Sequence, residues 1–285
     1  MRYKVTKNAS ILGVITNLFL LVIKAIIGLL SSSMSMISDA FNSFGDIFSS
    51  IMTFIGNKIA SNPSDEDHNL GHGKAEYIYS MLISIFMIIT ALFMFKNSLF
   101  SVIFGNKVSY SIYLLVVCII TIIIKFCLYI YTNKLSKKYN NLLIKANSND
   151  HRNDCFVTFG TLISCILSKY NIYIVDSLVA CFISIWILIT SIKIFKESYD
   201  VLMDKAIDNE TKEKVFKIIN KYDKIKKVIH FNSTPVGFQY QISFTIYVDG
   251  NMSTFDSHEI ADSLEKEIAS KCEEIYLTVI HVNPM

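Results

Sequence analysis

Between Ile11 and Phe195 the chain is a succession of apolar runs long enough to cross a bilayer, and two of them contain oxygen-bearing residues spaced four apart. The runs extend approximately from Ile11 to Leu30, Met34 to Ile59, Tyr77 to Phe104, Tyr110 to Thr132, Cys155 to Leu167 with a polar approach from Asn147, and Ile172 to Phe195. A hydrocarbon core about 30 Å thick takes about 20 apolar residues as a helix, so six transmembrane helices are predicted. The fifth is the least apolar, because Asn147, Asn149, Asp150, His151, Arg152, Asn153 and Asp154 interrupt it. Such residues must face protein or water rather than lipid, which places that helix at the centre of the bundle.

Composition agrees with an α-helical membrane protein. The 285 residues are 52% hydrophobic, and a mean hydropathy of +0.42 is too apolar for a soluble chain of this length. The formal net charge is only +3 and no basic stripe interleaves with aromatics, so nucleic acid is not an expected partner. Cys118, Cys127, Cys165 and Cys181 fall in apolar runs, Cys155 follows Asp154 and Cys272 lies in the tail. No CxxC pair exists, so neither a zinc ribbon nor a disulfide framework is indicated. Arg2, Lys4 and Lys7 precede the first run without a small-residue cleavage pattern, which reads as an uncleaved helix.

These three residues, the connection from Lys58 to Lys74, and Lys134, Lys137, Lys138 and Lys145 fall on one side under a six-span topology. The opposite turns offer Lys107 and Lys169. The positive-inside rule therefore puts both termini in the cytoplasm. Lys24, Lys96 and Lys125 stand inside apolar runs, where a stem snorkelling to an interface or a packing contact is the ordinary expectation.

After Phe195 the pattern becomes that of a soluble domain, and the division is placed at 1–203 and 204–285. A helix fits Asn209 to Tyr222, a strand Lys226 to Phe231, and a cleaner strand follows in which Tyr240, Ile242, Phe244, Ile246 and Val248 alternate with polar or amphipathic neighbours. Asp249-Gly250 makes a turn, a helix covers about Phe255 to Ser270, and a last strand runs from Ile275 to Val282. The order αββαβ is a small two-layer α+β domain whose limited core favours association with a second copy.

At 3.6 residues per turn, Asn42 with Asp46 and Asp150 with Asp154 each share one helix face, and two such helices packed together offer four oxygen ligands to one point. Carboxylate and carboxamide oxygens suit hard divalent ions such as Mn²⁺, whereas imidazole and thiolate favour Zn²⁺. Carboxylates crowded in a partly dehydrated site repel one another when empty, so protons bind there and leave when metal arrives. The bland alternative is that these residues cap kinks or join helices. His151 points about 100° away from Asp150 and is expected to make a polar contact. Asp65, His68 and His72 in the loop after the second helix form a candidate mixed nitrogen and oxygen site, against the alternative of a solvated loop. His230, His258 and His281 are scattered over the tail.

With those residues in view, the chain resembles a cation diffusion facilitator over nearly its whole length. The stretch Ser38-Asp39-Ala40-Phe41-Asn42-Ser43-Phe44-Gly45-Asp46, preceded by Asn17, Lys24, Gly28 and Ser35, is similar to that family's second-helix motif. Asp65 to Glu76 is similar to its D-x-x-H-x-x-G-H-G-K-x-E loop, and Ala146 to Asp154 to its A-N-x-x-H-H-R-S-D. The resemblance implies six helices followed by a cytoplasmic, metallochaperone-like αββαβ domain, and a homodimer that exports divalent metal in exchange for protons by alternating access. It implies a transport site of Asn42, Asp46, Asp150 and Asp154, a loop site of Asp65, His68 and His72, and metal positions at His230, His258 and His281. It further implies a charge interlock of Lys74 with Asp204 that holds the protomers together. Thr245 and Asn283 stand where the family carries a His and an Asp.

One Asn and three Asp resemble the manganese-exporting branch, with Fe²⁺ and then Zn²⁺ or Cd²⁺ as alternative substrates. No permanent cofactor is expected; the partners are the transported ion, protons, membrane lipid and a second copy. A rival of another class is a membrane-anchored metal sensor or scaffold acting through its tail. A metalloenzyme is not indicated, because no nucleophile with its base accompanies the acidic cluster. The Asn-, Lys- and Ile-rich composition points to a bacterial cytoplasmic membrane.

Overall fold

The computed structural model describes residues 2–30, 34–104, 112–168 and 174–285, with the backbone alone for residues 28, 30, 34–42, 104, 168 and 174–176. Lys107 and Lys169 lie outside these, as does the side chain of Asn42. Six long helices come first: α1 (Arg2–Leu30), α2 (Met34–Ala60), α3 (Ala75–Phe104), α4 (Ile112–Tyr139), α5 (Leu142–Ser168) and α6 (Ile174–Leu202). Each is longer than its apolar run, because a backbone leaving the hydrocarbon region still satisfies its hydrogen bonds as a helix. Thus α1 is helical from Arg2, ahead of the apolar run at Ile11, and Asn147 to Asp154 sit inside α5, which begins at Leu142.

By length and composition α1, α3, α4 and α6 are each apolar enough to span a membrane. The other two, α2 and α5, are 27 residues long, about 40 Å at 1.5 Å per residue, and carry the acidic residues. The bundle is polar inside and apolar outside. Ile15, Phe19, Phe93, Ile123 and Phe182 are exposed, while Ser10, Asn17, Ser50, Thr53, Thr121 and Asn147 are buried. That inversion is what lipid selects, since only helix-to-helix contacts or internal water can satisfy polar side chains. Gly13 brings α1 close to α2: a Cβ there would lie 2.8 Å from Ser50 Oγ.

At the end of the bundle that holds the amino terminus, Glu76 of α3 is a hub. It bonds Arg2 at 2.6 and 2.8 Å, accepts from the Leu142 N–H at 2.7 Å, and meets Asn141 Nδ2 at 3.4 Å. Arg2 also donates to the Tyr139 carbonyl at 2.9 Å. One buried carboxylate thereby ties α1, α3 and the α4–α5 turn, in which Asn140 takes a left-handed φ of 43°.

The chain divides into two units, Met1–Ser61 with Ala75–Tyr199, and Asn62–Lys74 with Asp200–Met285. The second unit has the expected αββαβ order: α7 (Asn209–Ile219), β1 (Lys227–Val236), β2 (Gln239–Val248), α8 (Thr254–Lys271) and β3 (Ile275–Pro284). The central β2 pairs antiparallel with β1 and parallel with β3. Its alternation buries Ile242, Phe244, Ile246 and Val248 against Val215 and Ile219 of α7 and Ile260, Leu264 and Ile268 of α8. β1 is longer than Lys226 to Phe231 because a bulge between Ile229 and Asn232 breaks the alternation while pairing resumes beyond it. His230, at that bulge, has φ 55°. The helix predicted over Asn209 to Tyr222 ends at Ile219, capped by Asn220.

The 62–74 segment is seated in this unit through a glycine pair. A Cβ on Gly73 would come within 2.7 Å of Gly237 Cα, and Gly237 itself has φ 62° at the β1–β2 turn. Gly73→Ala should therefore lift the segment off the hairpin, and limited proteolysis of the full chain should cut within 62–74 faster by roughly tenfold or more, since local opening sets such cleavage.

Candidate metal site between α2 and α5

α2 supplies Asp46, and α5 supplies Asp150 and Asp154 one turn apart. One oxygen from each carboxylate lies within 4.8 Å of the others. Asp46 and Asp154 are 5% and 8% exposed. Asn42 stands one turn before Asp46 on α2. His151 lies outside the cluster; it is wholly buried and neither ring nitrogen has a hydrogen-bond partner.

A lysine completes the arrangement. Lys125 Nζ of α4 donates to Asp46 Oδ2 and to Asp154 Oδ2, each at 2.5 Å, and its side chain is 1% exposed. Lys24 of α1 is also buried and donates to Ser43 Oγ at 3.1 Å. Neither snorkels, because carboxylates and hydroxyls within the bundle solvate an ammonium where lipid does not. Lys96 is exposed beside Phe100, its Nζ 6.0 Å from the ring centre. With all three carboxylates ionised, the cluster and Lys125 leave an excess of two negative charges, which one divalent cation or two protons would neutralise. Asp150 Oδ2 is buried with no hydrogen-bond partner, an acceptor suited to a cation.

Behind the acids, Asn17 Nδ2 donates to the Asp46 carbonyl at 3.2 Å and to Ser50 Oγ at 3.3 Å. Asn147 Nδ2 meets the same hydroxyl at 3.4 Å. Asn17 and Asn147 fall in the stretches that resemble the family motifs, whereas Ser50 and Lys125 escape a reading by motif; their signal is a polar residue inside an apolar run on a helix at the acids. A cavity of about 830 Å³ opens from Asp46, Asp150 and Asp154 between α2, α3, α5 and α6. It continues past Phe86, Phe93 and Met94 to Asn97, Ser101, Thr161 and Ser177, towards the helix ends remote from Arg2 and Ala75. On the other side Ile83, Leu143, Ala146 and Ile194, with Met52 and Tyr79, pack into an apolar plug. Among the described residues the cavity thus reaches the acids from the side remote from Arg2, and Met87 belongs both to its lining and to the apolar cluster.

In the second unit Asp65, His68 and His72 converge, with ligand atoms within 4.8 Å of one another. Asp65 accepts from the His68 N–H at 2.6 Å and lies 3.2 Å from His68 Nδ1 and 3.4 Å from His72 Nε2. Those contacts, the backbone bond first, hold the Asp65 carboxyl below the ordinary aspartate range, so it stays ionised at neutral and mildly acid pH. His72 Nδ1 faces the Pro63 carbonyl at 3.1 Å. A carbonyl only accepts, so Nδ1 donates to Pro63, and Nε2 is the ring nitrogen that faces Asp65. Lys74 Nζ bonds Asp204 at 2.8 Å in the same chain, and Asp204 has φ 55°. His230 on β1, His258 on α8 and His281 on β3 belong to neither cluster among the described residues.

Comparison with known proteins gives a consistent picture. The family profile "Cation efflux transmembrane domain" matches residues 10–203, and "Cation efflux protein, cytoplasmic domain" matches 207–285. The manganese efflux system protein MneP of Bacillus subtilis is 27% identical over 99% of this chain and 97% of its own length. An uncharacterized transporter of Methanocaldococcus jannaschii is 29% identical over 96% of each chain. The cation-efflux pump FieF of Shewanella oneidensis is 28% identical over 98% of this chain and 94% of its own.

The hydrogen bonds behind the acids predict a stability effect. Asn17→Ala should cost about 1–3 kcal/mol by orphaning buried groups, lowering the melting temperature of the detergent-solubilised protein by several degrees while its helix content is unchanged in circular dichroism.

Proposed function

This chain belongs to the cation efflux family, and on that premise we propose that it exports Mn²⁺ across a cell membrane in exchange for protons. It is a divalent cation efflux transporter rather than an enzyme; the metal, the coupling and the ligands are the inference. One observation carries it: the cluster at the base of the cavity consists of Asp46, Asp150 and Asp154, with no imidazole or thiolate among them. An all-oxygen set suits hard ions, and Asn42, one turn from Asp46, adds a fourth oxygen. Relatives whose names specify manganese, MneP and MneS, support the same choice. The name of FieF says only cation and so does not discriminate among metals; Fe²⁺ is the first alternative substrate, as the next hardest ion, and Zn²⁺ or Cd²⁺ follow.

The excess of two negative charges supports exchange of one divalent ion for protons. The cavity leading away from Arg2 and Ala75 supports a state open to the side opposite the basic residues, which are cytoplasmic under the positive-inside rule. Alternating access then requires the plug of Ile83, Leu143 and Ile194 to part in the other state. A homodimer is the reading for the second unit. One face of its sheet packs on α7 and α8, while Leu277 and Val279 of β3 stay 39% and 46% exposed on the other. In this assignment Asp65, His68 and His72 form an accessory site, and Lys74 with Asp204, bonded within one chain, is the charge interlock that holds the protomers together.

Flux into proteoliposomes tests the proposal. Wild-type protein should move Mn²⁺ at a rate that follows an imposed proton gradient, and Asp154→Ala should reduce that rate at least about 100-fold, as expected when a buried ligand is removed. Equal flux with and without the gradient would defeat the coupling. Zinc flux without manganese flux would defeat the assignment of metal. Asp150→His, alone or with Asn42→Asp, should shift the Zn²⁺-to-Mn²⁺ flux ratio towards zinc by roughly tenfold, by supplying imidazole.

A further inference from the structure

We propose that Lys125 is a tethered cation that holds the place of the transported metal, closing α2 against α5 through Asp46 and Asp154, and that an incoming divalent ion must displace it. The inference rests on the assignment of those two aspartates as transport ligands.

Geometry supports it first. The ammonium nitrogen lies 2.5 Å from one oxygen on each of two helices, close to the span of about 2.0–2.6 Å at which a hard divalent ion sits from carboxylate oxygens. An ion bonded to the same two oxygens would lie at most about 5 Å from that nitrogen, given bonds of those lengths. Two cations so close, in a site sealed from lipid by four helices, repel strongly, and the flexible four-carbon stem of lysine is the partner able to withdraw.

Burial supports it second. Lys125 is 0% exposed on an α4 whose other buried residues are Leu114, Val117, Cys118, Thr121, Leu128, Thr132 and Ser136. An ammonium in such company has no structural use that a methionine would not serve more cheaply, apart from answering carboxylates across the interface. His151 and Asn153, which the acids do not engage, retain buried ring nitrogens and an amide nitrogen, Asn153 Nδ2, without hydrogen-bond partners.

The consequence concerns the empty carrier. A transporter must reset its vacant site, and carboxylates facing one another across α2 and α5 would force the helices apart. Lys125 replaces the metal in that role and returns when the metal leaves. It also sets a threshold, because only an ion that binds the aspartates better than the tethered ammonium can enter.

The test is Mn²⁺ binding by isothermal titration calorimetry at fixed pH on the full chain in detergent, comparing wild type, Asp154→Ala, Lys125→Met, Lys125→Gln and Lys125→Arg. The neutral variants should bind at least about tenfold more tightly than wild type. Lys125→Arg, whose fork grips both carboxylates while keeping the charge, should bind more weakly than wild type. Neutral variants that bind no more tightly overturn the proposal. So does an arginine variant equal to wild type, because charge without occupancy would then explain the rest. Where the neutral variants are not monodisperse without metal, Mn²⁺ during purification should restore them, and failure to restore them counts against the proposal. Wild-type binding that survives in Asp154→Ala, or is absent altogether, would instead remove the underlying site assignment.

Discussion

An ionised carboxylate inside a helical bundle must be answered by another charge or by strong hydrogen bonds, and the membrane unit is organised around that demand. Asp46 and Asp154 reach across from different helices and meet on one ammonium. Removing one partner of such a buried set typically costs about 3–5 kcal/mol, because the remaining charge is stranded. The same demand explains why α2 and α5 are the least lipid-like helices and why Asn17, Ser50 and Asn147 form a polar layer behind the acids. The strongly apolar α1, α3, α4 and α6 contribute much of the outward apolar surface, joined by Phe44 of α2 and Phe159 of α5. The acidic cluster proposed as the transport site is therefore also a joint in the bundle.

The second unit solves a different problem, which is to order a polar loop without a core of its own. Asp65 caps the His68 backbone, His72 anchors on the Pro63 carbonyl, and the Gly73–Gly237 contact seats the segment against the hairpin. The outcome is a pair of imidazoles, ring centres 4.4 Å apart, converging on one carboxylate. None of these contacts needs hydrophobic burial, and all are local in sequence except the glycine pair.

Much of the architecture is written in periodicity. The alternation along β2 directly reports its one-sided burial, and the apolar runs report the helices of the bundle. Helix ends are less legible, since hydropathy registers lipid contact rather than hydrogen bonding, and α1 and α4 run on through Arg2, Lys137 and Lys138. β1 is only half visible because the bulge at His230 shifts the phase of the pattern. Among the site residues, the acids announce themselves by spacing within an apolar context. Lys125 does not, because its partners are 79 and 29 positions away and hydropathy treats it as a mere interruption. The converse holds for His230, His258 and His281, which a motif groups together but which stand on separate elements in a single protomer.

The carboxylate of Glu76 has a mechanical consequence. It is buried, 2% exposed, and shared by Arg2, Asn141 and the Leu142 amide, so α1, α3 and the α4–α5 turn are riveted at one end, while towards the other end α3 meets α6 through the Ser177–Ser101 hydroxyl bond at 2.6 Å. Any tilt about that rivet would be magnified with distance: a few degrees, nearly invisible beside Glu76, would become a displacement of several ångströms about 40 Å along a 27-residue helix. Arg2 sits at that rivet, so a change at Arg2 or Glu76 would act on the relative tilt of α1 and α3 far from the acidic cluster.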